Sequence, residues 1–133
     1  MKGRPYVMVV DDDQEMLRML KRTLKREGYG VATATGSSSA LALLEERRLD
    51  LVILDILMPE LDGFQVVELI RQRCSVPIIM LTARSEVDSL RKALAAGAND
   101  YVRMPFQTRE LVTCVKAKLR CPVPRNLRQS LAG

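Results

Sequence analysis

The chain has 133 residues, 47% of them hydrophobic, and a formal net charge of +5. That is enough for one domain around one core, and no apolar run nears the ~20 residues a membrane-spanning helix needs. The absence of histidine excludes a His-based triad or phosphohistidine relay within the chain, and three cysteines without a CxxC pair argue against zinc or a disulfide framework. The basic residues are spread along helices and both ends, so a solvated surface explains the charge better than a nucleic-acid face. With no signal-peptide pattern at the N-terminus, a cytoplasmic location is expected.

In chain order, Tyr6–Val10 is a short apolar run that reads as a buried strand, ending in Asp11-Asp12-Asp13. Residues 14–28 carry Met16, Leu17, Leu20 and Leu24 at helical spacing, with Gly28 as the stop. Residues 29–35 alternate weakly as a strand. Residues 37–48 are Ala/Leu-rich and helical, opened by a serine cluster able to cap them. Leu51-Val52-Ile53-Leu54 has the pattern of a central parallel strand, buried on both faces. Asp55 sits at its end, and Pro59 and Asp62-Gly63 then turn the chain. A helix over 63–73 faces inward through Phe64, Val67 and Ile70. A strand over 77–81 ends at Thr82-Ala83. A helix over 86–96 faces inward through Val87, Leu90 and Leu94, stopped by Gly97. A brief strand at 101–103 ends at Met104-Pro105. The last helix, 108–120, carries Leu111, Val112, Val115 and Leu119 on one face. Residues 121–133, with Pro122 and Pro124, read as a linker or disordered tail.

Five strands alternating with five helices predict an α/β fold: a flavodoxin-like (βα)5, doubly wound, five-stranded parallel sheet of order 2-1-3-4-5. In that order the first and third strands are neighbours, so Asp11, Asp12 and Asp55 converge at one corner. Carboxylates so close repel one another unless a cation neutralises them, and an all-oxygen cluster suits Mg²⁺. The fourth strand adds the hydroxyl of Thr82. A carboxylate nucleophile, a metal and a hydroxyl fit phosphoryl transfer, where catalysis is mostly positioning and charge neutralisation. Asp13 suits an ordinary helix cap. Asp55 is different, because a buried strand end offers a carboxylate no such role.

Together VVDDD (residues 9–13), LDILMPELDG (54–63), PIIMLTA (77–83) and GANDYVRMPF (97–106) resemble the receiver domain of two-component response regulators, over residues 5–120. The resemblance implies a receiver domain at 1–120 with Asp55 as phosphoacceptor for a sensor histidine kinase. It implies Mg²⁺ held by Asp11, Asp12, Asp55 and the backbone carbonyl of Leu57. Thr82 would bond a phosphoryl oxygen and, in moving, let Tyr101 turn inward. Such a domain accepts and loses its own phosphoryl group but is not an enzyme acting on other substrates.

One position departs from the family: Met104 stands where a lysine normally contacts the phosphoryl group. Arg103 is expected on the other face, so Arg84 is the candidate compensating cation. Lys92, Asp100 and Glu110 match charged positions through which the winged-helix regulators (OmpR/PhoB type) dimerise, using the fourth helix, fifth strand and fifth helix. Cys114 replaces an arginine found there. The expected output is transcription through a DNA-binding effector domain outside this sequence, by a homodimer formed on that face. The alternative is a pseudo-receiver whose switching is weak or independent of phosphorylation. A flavodoxin-like cofactor binder or small phosphatase shares the architecture, but no glycine-rich phosphate loop follows the first strand, and aromatics are few.

Overall fold

Five parallel strands make one sheet in the expected order: β1 (Tyr6–Val10), β2 (Gly30–Ala34), β3 (Leu51–Asp55), β4 (Ile78–Ala83) and β5 (Asp100–Met104) are arranged β2-β1-β3-β4-β5. The computed structural model describes residues 3–55, 63–83, 91 and 94–120. Four complete helices are among them: α1 (Gln14–Arg26), α2 (Ser37–Glu46), α3 (Gly63–Arg71) and α4 (Thr108–Arg120), the last being the fifth helix of the sequence reading. The helix expected over 86–96 is described at residue 91 and at residues 94–96, all helical. The tail expected at 121–133 lies outside the described residues.

Strand alternation divides the core in two. Met8, Val10, Val52, Leu54, Ile78 and Met80 meet Ala40 of α2 and Val66, Val67 and Ile70 of α3. Val7, Val9, Leu51, Ile53, Ile79 and Leu81 meet Leu17, Leu20 and Leu24 of α1 and Leu111 and Val115 of α4. Every residue of β3 is buried, as its unbroken apolar run requires of a strand covered on both faces. At ~1.5–3 kcal/mol per fully buried large apolar side chain, this core holds the strand ends in fixed register.

Local chemistry explains the boundaries. Asp13 caps α1, its Oδ1 accepting from the backbone N–H of Glu15 at 2.9 Å and of Met16 at 3.4 Å. The helix stops at Gly28, whose φ of +96° a side chain would resist. There the N–H of Tyr29 donates to Leu24 and that of Gly28 to Lys25, the Schellman arrangement.

Two local expectations are corrected. The serine cluster does not cap α2. The N-cap is Gly36 with no side-chain bond, and the Ser39 hydroxyl donates to the Gly36 carbonyl at 3.2 Å instead of accepting from a free N–H. Leu94 does not face inward; it is 47% exposed. The end of that helix meets the core through Ala96, and two residues along a helix turn the side chain by about 200°.

Candidate functional site: an acid corner at the strand ends

The site follows from register. Val10 pairs with Leu54, so Asp11 and Asp55, each one residue further on, emerge side by side from β1 and β3. Asp55 pairs with Leu81, which brings Thr82 to the adjacent position on β4. These three are the buried polar or charged side chains among the described residues: Asp11 1% exposed, Asp55 8% and Thr82 0%. Their clustering at adjacent strand ends, not their burial alone, marks the place. In open α/β sheets this carboxyl edge is where ligands bind.

Asp11 is the strained member. Its backbone N–H donates to the Ala34 carbonyl at 3.0 Å, and its Oδ1 accepts from the Asp13 N–H at 2.9 Å. Its Oδ2 is buried, with no hydrogen-bond partner among the described residues. Burial pushes the carboxyl up to about 7, against the pull of the Asp13 N–H, and the neighbouring Asp55 and Asp12 carboxyls add to the rise. An orphaned, buried carboxylate oxygen is costly, so the corner must hold a proton or a cation. Asp12 is exposed at its rim. No group of three or more Asp, Glu, His or Cys side chains among the described residues forms a metal cage by itself. Two converging carboxylates with Asp12 at the rim nonetheless offer hard oxygen donors of the type Mg²⁺ takes, with waters completing the shell. Leu57, whose carbonyl was expected to contribute, lies outside the described residues, as do Arg84 and Lys92.

From β5, Met104 brings no charge. It is half-buried and packs with Phe106 against the α1/α4 side of the core, and the Met104–Pro105 bond is cis. Arg103, in register with Thr82, is exposed. Tyr101, in register with Met80, is half-buried against the α2/α3 side.

Asp100 and Glu110, expected on a dimer face, are engaged within their own chain. Asp100 Oδ2 accepts from Cys114 Sγ at 3.4 Å and pairs with Lys118 Nζ at 3.4 Å, while Oδ1 accepts from the Tyr101 N–H at 2.8 Å. Glu110 Oε1 accepts from the Gln107 N–H at 2.9 Å, the return half of a capping box on α4. The glutamate three residues after Gln107 was a readable sign of that cap. The Cys114 contact had no sign in the sequence.

The response regulator receiver domain family matches this chain over residues 7–116. The chain belongs to that family. Crystal structures resembling this receiver include a response regulator from Chloroflexus aurantiacus, 34% identical, covering 90% of this chain and 100% of that one with a TM-score of 0.84. The receiver domain of the TMAO respiratory system response regulator TorR is 31% identical, covering 86% and 96%, with a TM-score of 0.83. A two-component response regulator from Clostridium difficile is 28% identical, covering 88% and 97%, with a TM-score of 0.84. The receiver is a signalling domain of two-component systems, and no helix among its described residues is long and apolar enough to cross a membrane.

Proposed function

We propose that this receiver takes a phosphoryl group on Asp55 from a sensor histidine kinase, with Mg²⁺ bound at the acid corner, and passes the change to the face built around β5 and α4. The observation that carries the reading is the buried Asp11 Oδ2 beside Asp55, without a hydrogen-bond partner among the described residues. Asp11, Asp12 and Asp55, with the carbonyl of Leu57, would hold the ion. Bound there, it supplies positive charge that stabilises the phosphoryl oxygens during transfer.

The protein's own residues do the rest. An Asp55 carboxylate oxygen attacks phosphorus in line as the bond to the donor breaks, giving an acyl phosphate. Burial on β3 fixes that oxygen in place, so little orientational freedom is lost at the reaction. The Thr82 hydroxyl, one strand over, donates to a phosphoryl oxygen. Its movement opens space for the half-buried Tyr101 to turn inward, altering the β5 surface that includes Asp100. Output to transcription runs through a DNA-binding effector domain, with homodimers formed on that face.

A second reading is favoured by Met104. Its thioether is packed in the apolar layer where the family places a cation, so the same corner also suits a pseudo-receiver switched by protein binding. Incubation with acetyl phosphate and Mg²⁺ followed by mass spectrometry separates the two. A labile adduct on Asp55, lost in Asp55→Asn, supports the first; an unmodified wild type supports the second.

A further inference from the structure

At the opposite end of the sheet, β5 raises a problem of register. Among the described residues it is an edge strand, bonded only to β4, and Val102 alone among its five residues is buried. A strand's register is normally specified by its buried face, and a slip of one residue moves every side chain to the other side. So thin a hydrophobic pattern specifies little. Yet Tyr101 must stand beside Met80, two residues from Thr82, for the proposed switch to operate.

Arg71, the last residue of α3, supplies what the pattern lacks. Its Nη2 donates to Asn99 Oδ1 at 2.7 Å, its Nε to the Gly97 carbonyl at 3.0 Å and its Nη1 to the Cys74 carbonyl at 3.4 Å. Asn99 is bonded twice to the start of β4: its Oδ1 accepts from the Ile78 N–H at 2.8 Å, and its own N–H donates to the Ile78 carbonyl at 2.8 Å. The next residues along, Ile79 and Asp100, are the first pair of the β4–β5 ladder. Gly97 adopts φ +121°, and a Cβ there would lie 2.9 Å from Arg71 Cγ, so the turn is shaped around the arginine. Bonds from a guanidinium are among the stronger ones available to hold such a junction.

We infer that Arg71 is a positioning residue: through Asn99 it locks the register of edge strand β5 on β4 and thereby sets Tyr101 in the frame of Thr82. The consequence for switching rests on the function proposed above; the register lock itself does not. Both contacts to the Asn99 side chain use Oδ1, so Asp at that position retains the lock whereas Ala removes it.

Amide hydrogen exchange tests this on the full chain. Arg71→Gln and Asn99→Ala should each speed exchange in β5 by about tenfold or more while β1 and β3 stay protected, and Asn99→Asp should remain within about threefold of wild type. Unchanged β5 protection in Arg71→Gln would overturn the inference. So would an equal loss across all five strands, or an Asn99→Asp variant that behaves like Asn99→Ala. In a second arm, beryllofluoride and Mg²⁺ are added and the Tyr101 ring signals followed by NMR. The two lock-breaking variants should bind the adduct as wild type does, with a smaller Tyr101 response; an undiminished response would limit Arg71 to holding the strand and overturn its positioning role. Wild type that fails to respond at all would defeat the proposed function, leaving the exchange result to decide the register lock.

Discussion

Cys114 Sγ donates to Asp100 Oδ2 at 3.4 Å, joining the middle of α4 to the first residue of β5. Burial first, and then the Asp100 carboxylate, push this thiol up to about 11 from 9.0. Since the thiolate is the nucleophile, roughly 100-fold less of it is present at mildly alkaline pH than in a free thiol. Iodoacetamide should therefore label Cys114 far more slowly than it labels glutathione. Asp100→Asn should recover part of the difference, because burial remains. Labelling at the rate of a small thiol would contradict the contact.

Asp11 makes stability fall as pH rises. Its carboxyl is at about 7 in the folded chain and 3.8 when unconstrained, so between those values the folded state holds the extra proton. The stabilisation is complete below about 4 and lost as pH climbs through 7, a loss on the order of a few kcal/mol at 1.36 kcal/mol per pKa unit. Asp11→Asn should remove this slope and exceed wild type in urea midpoint at slightly alkaline pH without Mg²⁺. A wild type as stable at pH 8 as at pH 5, measured against that variant, would speak against a strained Asp11.

Placing at residue 104 the lysine that the resemblance implies should sharpen the proposed switch. Met104→Lys puts an ammonium at the end of β5 while its stem covers the same apolar surface. A charge-assisted hydrogen bond of about 1.5–3 kcal/mol corresponds to a roughly ten- to hundredfold gain in beryllofluoride affinity with Mg²⁺. Titration showing no gain would mean that the lysine's role is already filled.

The two left-handed glycines should respond unequally to alanine. At Gly28 a Cβ meets nothing within 4 Å, so Gly28→Ala carries only the backbone penalty of about 1–2 kcal/mol. At Gly97 the same penalty is joined by a 2.9 Å clash with Arg71. Chemical denaturation should rank Gly97→Ala clearly below Gly28→Ala; equal losses would show that the arginine yields freely.

Much of this was legible in the sequence where hydrophobic pattern and topology decide the outcome. The runs Tyr6–Val10 and Leu51-Val52-Ile53-Leu54 identify buried parallel strands, and right-handed crossovers leave few ways to order them, which brings Asp11 beside Asp55. What escaped was set by tertiary contact. Nothing local says that Ser39 turns back to Gly36, that Ala96 rather than Leu94 meets the core, or that Asp100 is already occupied by Cys114 and Lys118. Arg71 and Asn99 are 28 residues apart, and no periodicity connects a helix end to a turn across the sheet.

The three consecutive aspartates divide their labour: one buried in the corner, one at its rim and one capping a helix, with the first accepting from the backbone of the third. That last bond tethers α1 to the chemistry. The oxygen left open in the corner is Oδ2, so a ligand taken there leaves the Oδ1 tether in place and pulls on the opening turn of α1 through it. Under the proposed function, that turn is the part of the outer surface bonded most directly to a loaded Asp11.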